Sequence, residues 1–204
     1  MLEWASRYTG PLSSFGAVVA GYAYPAPPAH ATIAAATRLH HDYPAVDLAM
    51  PERTPVFAMV DGLVSAANGP AGIYVPTSPG RCGNTIVITG IDGAVYTYCH
   101  LSAVAVSADD QVQAGQAIGL SGGRPGEPGA GNTTGPHLHL SIRAYGQSVC
   151  PQPVLLGILR GTPVPTTAAP STGCFTPGTS TDWSSWLDQS LARMNRPDAR
   201  AALL

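Results

Sequence analysis

The chain contains no lysine. Its ten basic residues are all arginines, scattered from Arg7 to Arg200, against twelve acidic residues, and the net charge is −2. No basic stripe exists, which argues against nucleic acid as a partner. Charge of either sign is scarce, at 11% of 204 residues, where ordinary globular chains carry about 25%. Hydrophobic residues reach 45%. Low charge with that much apolar material argues against disorder and for a buried core. Long apolar runs are also missing. A membrane span needs about 18 consecutive apolar residues, and the best stretch near the start runs only from Phe15 to Ala20. Glu3 precedes it and little positive charge beyond Arg7 accompanies it, so a secretory signal is not evident. The pattern H-E-x-x-H is absent, which excludes a helix-borne metalloprotease site of that type. Cysteine is sparse, but four residues suggest an oxidising compartment.

Glycine and proline, by contrast, are abundant, at 23 and 20 residues. Neither suits a helix interior, so a turn-rich, all-β chain with an antiparallel sheet is expected. The length fits one domain with tails. Residues 1–30 read as an extended lead-in ending in the Pro-rich Tyr24–Pro28. Residues 31–160 read as the main domain, and 161–204 as a Pro/Thr/Ser-rich loop followed by a short C-terminal helix. Strands are expected at 54–60, 84–89, 94–98 and 136–142. A turn at Asp61-Gly62 and a hairpin turn at 90–93 punctuate them. Residues 122–135 form a long Gly/Pro loop. The terminal helix is signalled by Trp183, Trp186, Leu187, Leu191 and Met194 at helical spacing, with Thr181 or Asp182 as N-cap. Its plain reading is a helix packed on the sheet; the alternative is a partner-binding helix.

Five of the six histidines stand where a site could form. In Gly135-Pro-His-Leu-His-Leu-Ser141, alternation along a strand puts His137 and His139 on one face. Such a pair suits a metal, although H-x-H alone is weak evidence. His40-His41-Asp42-Tyr43-Pro44-Ala45-Val46-Asp47 supplies imidazoles and carboxylates upstream. Asp47 is preferred to Asp42 because apolar residues flank it, where a carboxylate needs a partner. His, Asp and His together would leave a fourth zinc position open, the mark of a catalytic site. His100 ends the second hairpin arm, where a strand delivers a side chain to a rim. Gly119-Leu-Ser-Gly-Gly123 formally fits G-x-S-x-G, but a Gly/Pro loop follows instead of the helix a nucleophile elbow needs.

The order His41…Asp47, Asp61-Gly62, Tyr98-x-His100-Leu-Ser102 and Gly135-Pro-His137-Leu-His139 resembles the lysostaphin-type, LytM-like zinc metalloendopeptidases of bacterial cell walls. Thr54-Pro-Val-x-Ala58-x-x-Asp61-Gly62-x-Val64 and Val112-x-x-Gly115-Gln-x-Ile-Gly119 extend the resemblance across roughly residues 22–160. It implies a small antiparallel β domain with a substrate groove, of duplicated hybrid motif type. It implies Zn2+ held by His41, Asp47 and His139, with His100 and His137 as the catalytic pair. It implies hydrolysis of peptide bonds in peptidoglycan stems or crosslinks by a secreted or cell-envelope protein, expected to be a monomer. The first motif departs from the family, which has three residues between His and Asp. Here five intervene from His41 and six from His40, and Tyr43 sits where the usual His would be. The His-His-Asp-Tyr-Pro form looks like a variant of high-GC Gram-positive relatives, and the absence of lysine agrees with a GC-rich genome. His41 is preferred as the ligand, with His40 the alternative. A non-catalytic LytM-like adaptor or wall-binding module is the competing function.

Four cysteines permit three pairings. Cys82 and Cys99 flank the two arms of one expected hairpin, and Cys150 and Cys174 bracket the last strand and the Pro/Thr loop. The expectation is Cys82–Cys99 and Cys150–Cys174; the alternative makes Cys99 a metal ligand or free thiol.

Overall fold

The structure, a computed structural model, describes residues 18–68, 81–174 and 181–194. The apolar stretch at 15–20 therefore lies partly outside the described residues, as does everything before it. Among the described residues, ten strands form two antiparallel sheets. The larger sheet contains β1 (Val46–Ala49), β3 (Gly62–Asn68), β4 (Thr85–Gly90), β5 (Val95–Cys99), β7 (Gln111–Val112), β9 (His137–Ala144) and β10 (Gln147–Val149). Its order is β1-β9-β5-β4-β3-β7, with β10 also on β9. The smaller sheet is β2 (Pro55–Phe57), β8 (Ala117–Ser121) and β6 (Leu101–Val104), in that spatial order.

Alternation explains the larger sheet. In β9, Leu138, Leu140 and Ile142 are fully buried, and they meet Ile86, Ile88, Tyr96 and Tyr98 in the core. The β4–β5 hairpin turns at 91–93, where Gly93 adopts φ 78°. Asp92 accepts the Ala94 amide at 3.1 Å, closing that turn. Its other oxygen accepts the hydroxyls of Tyr22, Tyr96 and Thr166 at 3.0, 2.6 and 2.8 Å. Burial pushes this carboxyl up, but the donors outweigh it and hold it below the usual carboxylate range. One side chain thus ties together the lead-in segment, the hairpin and the 161–174 stretch.

The α-helices among the described residues are α1 (Ile33–Ala36), α2 (Pro151–Leu159) and α3 (Trp183–Met194). The composition hid α2. Its prolines sit in the first turn, where no helical donor is lost, and positions 151–158 are all buried. An all-round apolar segment shows no amphipathic period. Helix α3 begins as expected, with Asp182 Oδ1 accepting the amides of Ser184 and Ser185 at 3.0 and 3.2 Å. Its Trp183 and Leu187 pack with Leu156, Val164, Cys150 and Cys174, so it covers α2 rather than the sheet. Both expected disulfides are present, Cys82–Cys99 and Cys150–Cys174, and no cysteine is free. Among the described residues, no helix is long and apolar enough to cross a membrane.

Candidate metal centre

Strand β9 is the platform. Asp47 on β1 pairs in register with His139, and Cys99 on β5 faces His139 from the other side. The sheet therefore brings the two sequence motifs and the end of the hairpin to one place. His100 is the single residue between β5 and β6, where the chain leaves the larger sheet for the smaller. It adopts φ 62° to make that turn, a conformation sparsely populated by residues other than glycine. A side chain on Gly122 would sit 2.7 Å from the Ser102 nitrogen and 2.8 Å from the His100 oxygen. Only glycine lets the 122–135 loop lie that close to the turn. Further along, the loop presents the Ala130 carbonyl to His100 Nδ1 at 2.7 Å, and 132–134 line the groove.

The groove encloses about 520 Å³ and is lined by His40, His41, Tyr43, Asp47, His100, His137 and His139, with Arg38 and Arg81 also on its wall. All five expected site residues therefore reach it. Asp47 is the hub. Its Oδ1 lies 2.8 Å from His139 Nδ1 and 3.5 Å from His137 Nε2, and its Oδ2 lies 4.0 Å from His40 Nε2. Burial pushes the Asp47 carboxyl up, but the His139 hydrogen bond and the fields of His139, His137 and His40 bring it down to about 2. It is an anion at neutral pH.

His40 and His41 are placed differently. The His40 side chain is 3% exposed, and its ring lies edge-on to His139 at 5.0 Å. The His41 side chain is 70% exposed, with Nε2 3.1 Å from Asp42. Donor atoms of His40, His41 and Asp47 can still all lie within 4.8 Å of one another. Burial lowers the affinity of His40 for a proton, with Asp47 opposing. The closest contact of its Nδ1 is the Tyr43 carbonyl oxygen at 3.1 Å, which can only accept. The Asp42 and Tyr43 amides stand farther off, at 3.3 and 3.4 Å. With Nδ1 unprotonated these amides donate to it; with Nδ1 protonated it donates to the Tyr43 carbonyl, and that form leaves the Nε2 lone pair toward Asp47.

His100 and His137 form a second pair, ring centroids 4.7 Å apart. His100 donates from Nδ1 to Ala130, and His137 from Nδ1 to Gly135 at 2.7 Å. An imidazole that carries its one proton on Nδ1 keeps a lone pair on Nε2. Burial pushes His100 down to about 4, with the Ala130 carbonyl opposing and His137 and His139 assisting. It is uncharged at neutral pH.

Two supports were not anticipated from the sequence. Gln152, fully buried on α2, donates to the Arg38 and Ala45 carbonyls at 2.8 Å each. Those residues bracket the loop that carries His40. The His40 amide donates to the Cys174 carbonyl at 3.1 Å, so the segment closed by Cys150–Cys174 holds the same loop. A glutamine inside the apolar run PQPVLLGIL was the available signal.

The chain matches Peptidase family M23 over residues 41–151. It belongs to that family. This M23 chain is 37% identical over 111 residues to the DD-carboxypeptidase/endopeptidase Mpg of Neisseria meningitidis, covering 54% of itself and 22% of that protein. It is 36% identical over 103 residues to the peptidoglycan DD-endopeptidase ShyA of Vibrio cholerae, covering 50% and 20%. It spans about a fifth of the length of these curated relatives. Among solved structures, a zinc-containing peptidase from Vibrio cholerae superposes with a TM-score of 0.51 at 24% identity, covering 66% of the M23 chain and 40% of that structure. That likeness is one of fold.

Proposed function

We propose that this M23 chain is a zinc-dependent metalloendopeptidase that hydrolyses peptide bonds in peptidoglycan stems or crosslinks. The observation that carries the reading is one half-buried anion, Asp47, facing three imidazoles in an open groove. The donor set fits zinc, which takes imidazole nitrogen and carboxylate oxygen. The residues that would hold it are His40, Asp47 and His139, through Nε2, the carboxylate and Nδ1. His40 replaces the expected His41 because it is the buried ring, with its outer nitrogen engaged by a carbonyl. Imidazole ligands must be unprotonated at the ligating atom, and burial favours that state for His40.

When bound, zinc supplies Lewis-acid polarisation of the peptide carbonyl and makes water a nucleophile near neutral pH. The chain's own residues supply the proton handling. His100 is neutral, with its Nε2 lone pair able to take a proton. His137, held by the Gly135 carbonyl, stands on the Asp47 side; in its doubly protonated form Nε2 would donate to charge developing on the substrate oxygen. Glycines in the 122–135 loop let an extended peptide approach the wall closely. The two disulfides suit an extracytoplasmic site of action.

Purified bacterial walls incubated with the protein, with and without a chelator, test the reading. Mass spectrometry of released muropeptides should show new peptide ends that vanish with chelator. Release that chelator leaves unchanged would refute a metal-dependent reaction, and no release from walls of several crosslink types would favour an adaptor.

A further inference from the structure

Tyr43 touches both proposed histidine ligands, by different atoms. Its main-chain carbonyl lies 3.1 Å from His40 Nδ1. Its hydroxyl lies 2.9 Å from His139 Nε2. The ring is also edge-on to His40 at 4.6 Å and 5.8 Å from His139. In both histidines the contact is to the nitrogen that does not face Asp47. The residue before a proline is confined to extended backbone, so Pro44, itself buried, restricts how the Tyr43 carbonyl points.

We propose that Tyr43 is a positioning residue that orients both histidines of the metal site, standing in the loop where the family's usual histidine would be. The inference rests on the metal reading given above. Ligating histidines are commonly oriented by a partner on their second ring nitrogen. The hydroxyl has a property a carbonyl lacks. Without metal, a neutral His139 carries its proton on Nδ1, donating to the Asp47 carboxylate, which can only accept; Nε2 then accepts from the Tyr43 hydroxyl. When Nδ1 becomes a ligand atom, the ring's single proton resides on Nε2, and the same hydroxyl oxygen accepts it. A hydroxyl is both donor and acceptor, so it serves either tautomer without a change of partner. The longer spacing of the first motif thus places a tyrosine where two ligands can be held at once.

Tyr43→Phe removes the hydroxyl and keeps the ring. The probe is zinc alone, titrated into the metal-free full chain against a chromogenic chelator, with cobalt as a spectroscopic substitute. The expected result is a zinc affinity about 10–100-fold weaker, an altered visible cobalt spectrum, and a metal-free melting temperature unchanged within about 2 °C. Affinity and spectrum equal to wild type would overturn the proposal. An affinity loss matched by an equal loss of metal-free stability would also overturn it, because the effect would then be one of folding. If the wild-type chain itself bound no zinc, the metal reading would fall first and this assignment with it.

Discussion

His100 illustrates how much one residue is asked to do. It turns the chain between sheets in a left-handed conformation, donates to the Ala130 carbonyl, and stays uncharged because it is buried. Asparagine tolerates that backbone better than most residues, so His100→Asn removes the imidazole with least strain. This variant and His137→Ala should each lower the hydrolysis rate by about 10²–10⁴-fold with zinc content near one per chain. Loss of zinc from either would make that residue a ligand. At this scale the sequence was informative about chemistry and poor about position. Side-chain alternation was enough to put His137 and His139 on one face. Spacing within residues 40–47 favoured His41, whereas the two differ in burial, and the loop that carries them is held by Gln152 and Cys174, more than a hundred residues away. Tyr43 was visible as a departure in spacing, but its hydroxyl contact needs the sheet to bring β9 beside it.

The elements follow from simple rules where one face is wet and the other buried. The β4–β5 hairpin, β9 and α3 were legible because alternation, turn residues and an N-cap agree locally. Helix α2 was not, since it is buried all round, and its prolines read as breakers unless they fall in the first turn. The expected strand at 54–60 is shorter, Pro55–Phe57, and its register with β8 shifts between Val56 and Phe57. Helix α2 matters to the site through Gln152, whose amide holds the Arg38 and Ala45 carbonyls. Gln152→Leu leaves the buried Ala45 carbonyl and the part-buried Arg38 carbonyl without the donor. An unpaired buried polar group costs about 1–3 kcal/mol, so the urea midpoint should fall by that equivalent with the m-value unchanged. A change below about 0.5 kcal/mol, the usual range for a surface substitution, would show that the clamp contributes little.

The site belongs to the whole molecule. Its groups come from a loop, from strands of the larger sheet and from the junction between the two sheets, and the unfolded chain has no reason to gather them. A ligand that binds only the folded state stabilises it, by about 2.7 kcal/mol at a hundred times its dissociation constant. The most direct test of the metal centre is therefore thermal unfolding of the metal-free chain with and without added zinc, for wild type, His40→Ala and His41→Ala. The expected result is a zinc-dependent rise in melting temperature for wild type and His41→Ala, and none for His40→Ala at the same zinc concentration. A rise that survives in His40→Ala but disappears in His41→Ala would contradict the ligand set, and no rise in wild type would contradict a zinc site altogether.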